Sequence, residues 1–461
     1  MILKTTLTRQ PSLKKVLGFS SLFAATLGGV ASQTSFVTIL NGAGNGGALF
    51  FVAIFLAFIV TLCNVFSYLE LSLMMPKAGG PGTYAVVALG HFPSIVILLT
   101  AYVFASPFGL AAELNLLNQV IQSVLPSAPK IGLALLALFT ILNLAGINIF
   151  ASVQSTMVYI LVLLVLLVGF AGLNPEGAKG LTAAEMVHQI KDINISVFSL
   201  MILALWSFAG LEYVCPLLEE ATRPERTLPR AMIGGLLIML LLYSLIAYAG
   251  VRQIPPSDLA DPEIPHFLLV NSIFGKLGGF VILLFALTTS SAIINATLAS
   301  ISRMVYGMAH HHQLPPVFGK LHLKWKTPWV AILFVSFSVT LPFMILRDSR
   351  DTIILMVSSA TSLWLVGYIL AHVDVIVLKE RYKDARRPFK TPLYPLPQLV
   401  GIAGMIYAIY LNSPSADMST KIYYITGAMI LTAVLFAFFW VKLKMKRRLF
   451  EAEPMEKAIA D

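Results

Sequence analysis

The sequence predicts an all-α integral membrane protein with about twelve transmembrane helices. Its composition, the length of its apolar runs and the placement of its basic residues all point that way. Of 461 residues, 57% are hydrophobic and 12% charged, with a mean hydropathy of +0.83. Water-soluble domains carry about twice that share of charge. A helical run of about 18 or more apolar residues crosses a hydrocarbon core of roughly 30 Å. Twelve such runs occur, at about 16–41, 47–73, 92–122, 131–150, 154–173, 195–218, 231–251, 278–302, 328–346, 352–378, 394–411 and 422–441. The connections are short, with the longest outer one near Asn174 to Asn194, so residues 1–461 read as a single transmembrane domain. The tail after Lys442 is charged and is expected to fray.

Basic residues orient the bundle. With both termini placed in the cytoplasm, the inner segments hold 24 of the 32 Lys and Arg residues. That bias follows the positive-inside rule and suits a multi-pass protein of a cell membrane, plasma or inner. It also accounts for the net charge of +10 without nucleic acid. Clusters such as Lys379 to Lys390 and Lys442 to Arg448 set topology and meet anionic lipid. Lys4, Arg9, Lys14 and Lys15 precede the first apolar run, which lacks a small-residue cleavage site and reads as a retained span. Cys63 and Cys215 both lie in apolar runs and suggest no disulfide framework or thiolate metal site.

Two spans are interrupted by polar residues. In the first, Gly28-Gly29 is followed by Ser32, Gln33, Thr34 and Ser35 side by side. A lipid-facing helix does not carry such a patch; it is tolerated where backbone leaves helical geometry beside a protected cavity. In the sixth, Ser207, Phe208, Ala209-Gly210 and Glu212 repeat the arrangement, and the glutamate alone costs roughly 2.5 to 3.5 kcal/mol at a helix centre. Glycine-broken spans five apart predict an inverted repeat of five plus five helices, about 16–173 and 195–378, followed by two further helices at about 394–441. In that arrangement a ligand sits at the midplane between the breaks. Gly28, Gly29 and Gly210 also fit a plainer role as small-residue helix contacts.

Several motifs then converge. YLELSLMMPKAGGPGTY (Tyr68 to Tyr84), EEATRPERTLPRA (Glu219 to Ala231), SRMVYGMAHHHQLPPVF (Ser302 to Phe318), TPWVA from Thr327 and RRPFKTPLYPLP (Arg386 to Pro397) follow one another over most of the chain. In spacing and order they resemble the amino acid-polyamine-organocation permeases. The resemblance implies a fold like that of the sodium-coupled leucine transporter, with helices 1 and 6 broken. LWSFAGLE (Leu205 to Glu212) further resembles the basic amino acid and polyamine exchanger branch, which implies a gating role for Trp206 and proton sensing by Glu212. Tyr102 falls near that branch's gating tyrosine. Glu219-Glu220 is more typical of general amino acid permeases. The family's first break usually reads Gly-Ser-Gly, a hydrophobic residue and Phe. Counting back from Phe36, those first three positions here are Ser32, Gln33 and Thr34. Without the two glycines, side chains narrow the cradle that bare amides would offer a carboxylate.

The chemistry of an unwound segment suits a zwitterion. N–H groups at the start of one half-helix and carbonyls at the end of the other hold a carboxylate and an ammonium at separate poles. Ser32, Gln33, Thr34, Ser35, Trp206, Ser207, Phe208, Ala209, Gly210 and Tyr102 are the candidate binding residues; Trp206 and Phe208 fit equally as packing aromatics. Glu212 and Glu113 are the candidate proton-coupling carboxylates, with an interhelical hydrogen bond as the plainer role of Glu212 and a pairing with Arg252 or a ligand amine open to Glu113. Glu70 and Glu219-Glu220 are expected to pair with Arg223, Arg226 or Lys77. Ser290, Ser291 and Asn295 fit a sodium site, and interhelical hydrogen bonds more readily. His310, His311 and His312 lack the accompanying carboxylate or cysteine of a metal site. No nucleophile, metal or phosphate-loop motif suggests an enzyme, cofactor or ATP drive, and paired broken helices suit a carrier better than a channel. The reading is a secondary transporter of amino acids, by proton-coupled symport or exchange, with an amine or polyamine exchanger as the alternative. Lys383→Cys and Arg226→Cys are expected to react with an impermeant maleimide from the cytoplasm alone, and Asp258→Cys from outside alone; labelling of position 383 in intact cells overturns this orientation.

Overall fold

The computed structural model describes residues 13–174, 176–191, 196–345, 350–412 and 416–460. Lys4, Arg9, Asn194 and the expected start of the sixth span at Ile195 lie outside the described residues. The principal helices are α1 (Phe19–Gly28), α2 (Gln33–Gly46), α3 (Leu49–Met74), α4 (His91–Val124), α5 (Gly132–Leu144), α6 (Ile147–Ala171), α7 (Ser196–Ser207), α8 (Pro224–Gln253), α9 (Gly278–His310), α10 (Trp329–Ile345), α11 (Arg350–Arg381), α12 (Leu396–Leu411) and α13 (Ala416–Phe439). Among the described residues, eight helices are long and apolar enough to cross a membrane, and a ninth span is made by α1 and α2 together, bent by 55°. The remaining expected spans are α5, α10 and α12, with 13, 17 and 16 residues. At 1.5 Å per residue these are short for a bilayer core of roughly 30 Å.

Two boundaries differ from expectation. The fourth run was expected to reach residue 150, yet α5 stops at Leu144 and α6 starts at Ile147. The turn is made at Gly146, with φ +127°, a conformation that glycine adopts without steric penalty; the apolar residues on both sides hide it from a hydropathy window. The eighth span is preceded by a short helix, Pro265–Phe274, which joins α9 through a 3₁₀ turn.

The two interruptions meet at the centre. α1 packs on α6 and α8, while α2 packs on α7 and α8. α1 ends at Gly28 and α7 ends at Ser207, and the chain continues from α7 as a 3₁₀ segment, Leu211–Glu220. A Cβ built on Gly29 would lie 2.5 Å from the Gly210 carbonyl oxygen, and one built on Gly210 would lie 2.0 Å from that of Gly29. Gly210 also has φ +110°. The breaks therefore touch backbone to backbone, through residues that only glycine can supply.

At one face of the bundle, the N–H groups of Val16 and Leu17 donate to the Glu220 carbonyl at 2.9 Å, and Thr222 N–H donates to the Leu17 carbonyl at 2.8 Å. The carboxylate of Glu220 is fully buried and accepts from Arg303 of α9 through two guanidinium nitrogens. Glu219 accepts from the Ala78 N–H at 3.0 Å. Glu70 pairs with Arg387 at 3.1 Å and Lys379 at 3.4 Å. These partners replace the expected Arg223, Arg226 and Lys77, because distant segments approach closer than sequence neighbours. The tail also departs from expectation. Glu453 is buried against His91 and Arg447, at 3.2 and 2.5 Å, and the neighbouring His311 and His91 imidazoles hold its carboxyl well below the usual carboxylate range.

Gly210→Ala is expected to destabilise the protein by at least about 1 to 2 kcal/mol from the left-handed backbone alone, before the clash with Gly29 is counted. Gly234→Ala, on a helical glycine of α8 with nothing within 4 Å of the added carbon, is expected to be neutral or mildly stabilising. Thermal unfolding of the two variants in detergent checks the pair.

Candidate functional site

The first break is closed by its own polar run. Ser32 caps α2: its extended backbone turns the chain, and its Oγ accepts from the Ser35 N–H at 3.2 Å. The next donors back, the N–H groups of Gln33 and Thr34, both point at Glu113 of α4, at 3.0 Å to Oε1 and 3.2 Å to Oε2. Glu113 Oε1 also accepts from the Ser290 hydroxyl at 2.8 Å, and Ser290 in turn accepts from Gln33 Nε2 at 2.7 Å. His266 Nε2 lies 3.3 Å from Gln33 Oε1. A carboxylate from the third span thus sits on the N-terminus of α2, where partial positive charge and free N–H groups favour an anion.

The second break carries a separate relay. The Gly210 N–H donates to the hydroxyl of Tyr368 in α11 at 3.0 Å, and that hydroxyl donates to Glu212 Oε2 at 2.7 Å. Glu212 Oε1 is buried with no hydrogen-bond partner among the described residues. The Tyr68 and Tyr102 hydroxyls lie 2.8 Å apart, and the Tyr68 ring meets the Tyr368 ring edge-on at 6.0 Å. Tyr102 falls in a π-helical stretch of α4, Leu98–Phe104, a distortion found mostly at functional positions.

Between the breaks lies a cavity of about 30 Å³, space for about two waters and less than an amino acid fills. Ser32, Thr34 and Ser35 line it from the first break, Trp206 and Ala209 from the sixth, and Glu113 from the third span. The expected Gln33, Ser207, Phe208, Gly210, Tyr102 and Glu212 are not in its wall. Gln33 turns to Ser290 and His266, the Ser207 hydroxyl donates to the Ser35 carbonyl at 3.1 Å, and Phe208 packs edge-on against Tyr243. Glu212 belongs to the Tyr368 relay, and Tyr102 pairs with Tyr68, whose ring touches that of Tyr368. Sequence reasoning missed Ser106, Gly109, Tyr213, Thr297 and Trp364. Trp364 packs at 5.6 Å from Trp206 and 5.9 Å from Tyr213, ring centre to ring centre. The indole N–H groups of Trp206 and Trp364 are buried and have no hydrogen-bond partner among the described residues.

Other candidates resolve by contact. Arg252 donates to the Leu181 carbonyl at 3.1 Å rather than pairing with Glu113. Asn295 accepts from Asn143 and donates to Gln154, both at 2.8 Å, and Ser290 serves Glu113, so both are engaged between helices, the role the sequence favours over a sodium site. Among the described residues no group of three or more His, Cys, Asp or Glu side chains is placed to hold a metal.

Paired helix breaks sharing one cavity within an all-helical bundle define a broken-helix transporter. The solved structure of a manganese transporter mutant from Eremococcus coleocola has this fold, with a TM-score of 0.62 over 94% of this chain and 98% of that one, at 13% sequence identity. A family model described as amino acid permease matches residues 17–436, and the chain belongs to that family, within the amino acid-polyamine-organocation superfamily. It is 27% identical over 432 residues to the serine/threonine exchanger SteT of Bacillus subtilis, covering 87% of this chain and 92% of that one. It is 25% identical over 400 residues to the human large neutral amino acids transporter small subunit 2, covering 83% and 73%. The glutamate/serine transporter AimA of Bacillus subtilis is also similar, at 25% identity over 410 residues, covering 82% and 74%.

Tyr368→Phe removes one hydroxyl from between two buried groups, leaving the Gly210 N–H and the Glu212 carboxyl without it. A loss of about 1 to 3 kcal/mol per orphaned group is expected, read as a lowered unfolding temperature in detergent, with Tyr407→Phe on the α12 surface as the unaffected comparison.

Proposed function

We propose that this permease is a secondary active transporter that carries an amino acid by alternating access, holding it between the breaks of the first and sixth spans. The observation that carries the reading is the contact of Gly29 with Gly210 beside a cavity walled by both breaks. Two half-helices that meet at such a point can part on one side and then on the other while the ligand stays between them. The two repeats, about 16–173 and 195–378, supply the halves that rock. Hydroxyls of Ser32, Thr34 and Ser35 together with the faces of Trp206 and Trp364 suit a small or medium neutral amino acid. The relatives' names agree in amino acids and differ in which one.

Glu212 takes and releases a proton as the sixth break opens and closes. Its carboxyl has one committed oxygen, on Tyr368, and one without a partner among the described residues. Protonation satisfies a buried carboxyl in the closed form, and hydration favours the ionised form when the break is wet. The face that holds the Glu220–Arg303 pair is cytoplasmic, and the membrane is a cell membrane.

Transport in sealed proteoliposomes tests the reading. Saturable uptake of a labelled amino acid, accelerated by unlabelled amino acid on the far side, is expected; a linear, unsaturable flux overturns it. Glu212→Gln is nearly isosteric and cannot titrate, so the maximal exchange rate at saturating ligand is expected to lose its pH dependence. An unaltered pH profile of that rate removes Glu212 from the coupling role.

A further inference from the structure

The start of α2 has its donors committed. A helix leaves its first N–H groups without intrahelical partners. Here Gln33 and Thr34 donate to the two oxygens of Glu113, and Ser35 donates to the Ser32 hydroxyl. The next, Phe36 N–H, closes the first turn on the Ser32 carbonyl at 3.2 Å. An amino acid brings a carboxylate that needs such donors. Glu113 is 1% exposed, and it borders the same cavity as Trp206, whose indole N–H is buried without a partner among the described residues. The anion position and the ligand cavity are therefore one place, already holding a carboxylate that belongs to the protein.

We infer that Glu113 is a displaceable internal carboxylate, which occupies the amide cradle of α2 in the absence of ligand and yields it to the ligand's carboxylate as it takes up a proton. The inference rests on the amino acid reading above. Two ionised carboxylates cannot share one pair of amides without strong repulsion. Once expelled from those donors, Glu113 remains within the bundle. A carboxyl without compensating hydrogen bonds there is held neutral rather than charged. Among the described residues, the groups around it offer no replacement charge: α2 presents N–H groups, with the Ser32 and Thr34 hydroxyls on the same cavity, α9 presents the Ser290 hydroxyl, and His266 reaches it through Gln33. From α8, Tyr243 has its hydroxyl engaged with the Ser207 carbonyl at 2.8 Å and the Val30 carbonyl at 3.3 Å. The bookkeeping of charge is simple: one proton binds with each amino acid, and the pole keeps a single negative charge throughout. The missing glycines belong to the same device, since Ser32 caps the third donor and leaves a cradle of two N–H groups that one carboxylate fills.

Linkage of one proton to binding weakens the ligand by about tenfold per pH unit above the titration of Glu113. The probe is the tightest binder from a thermal-shift panel of the common amino acids, measured by calorimetry against the purified wild-type protein, together with its decarboxylated amine. Titration in two buffers of different ionisation enthalpy is expected to give uptake of at least one proton per amino acid in wild type and of about one in Glu212→Gln, where Glu212 no longer contributes, which separates Glu113 from the other carboxyl. In Glu113→Gln the uptake is expected to vanish, the affinity to become independent of pH, and binding at neutral pH to be tighter than wild type by about tenfold or more. The wild-type and Glu212→Gln titrations decide the matter even if Glu113→Gln does not fold. Proton uptake near zero in wild type overturns the inference, as does a wild-type pH slope retained by Glu113→Gln. An amine that binds tighter than its parent amino acid and is lost in Glu113→Gln overturns it too, making Glu113 the ammonium's counter-ion. If no amino acid in the panel binds, the amino acid reading falls and takes this inference with it.

Discussion

The contact between Gly29 and Gly210 is the constraint around which the molecule is arranged. Two helices that stop inside a hydrocarbon layer expose N–H and carbonyl groups that lipid cannot satisfy. Bringing both interruptions to one point lets neighbouring spans satisfy them together. Tyr368 serves the Gly210 N–H, Tyr243 serves the Ser207 and Val30 carbonyls, and Glu113 and Ser32 serve the start of α2. A side chain at either glycine would hold the breaks apart and leave these groups without partners.

The same accounting explains why so many polar residues sit in a chain this apolar. The hydrophobic effect does little to bring one helix to another in lipid, so packing of small residues and hydrogen bonds across helices carry the association. Asn143, Asn295 and Gln154 tie α5, α9 and α6 together, and Gln154 also donates to the Ala24 carbonyl of α1 at 3.3 Å. The Glu220–Arg303 pair and the N-terminal strand-like contact with residues 220 to 222 close one end of the bundle. A buried ion pair costs much of its Coulomb energy in desolvation and is strongly disruptive to break.

The positions of the breaks were legible from local rules, because glycine followed by clustered polar residues contradicts a lipid-facing helix at that spot. Five of the residues proposed from those breaks, Ser32, Thr34, Ser35, Trp206 and Ala209, line the cavity. Gln33 was legible as a polar residue needing a partner, but not which one: its side chain faces Ser290, 257 positions away, rather than the cavity wall. Trp364 gave no signal, being one aromatic in an ordinary apolar run. Glu113 was visible as a costly charge, yet its partners lie 79 and 80 positions back along the chain and 177 ahead, where no spacing rule connects them.

Membrane residence, the approximate number of spans and the places where two of them break are properties of the sequence alone, since transfer free energy and backbone freedom are paid residue by residue. Which face each helix turns to its neighbours was decided only in the tertiary structure. Helix rotation is set by how side chains of spans far apart in sequence fit together, and lipid, apolar on every side, imposes little preference of its own. For that reason the sequence could place a carboxylate in the third span, and only the packed bundle could seat it on the first N–H groups of α2.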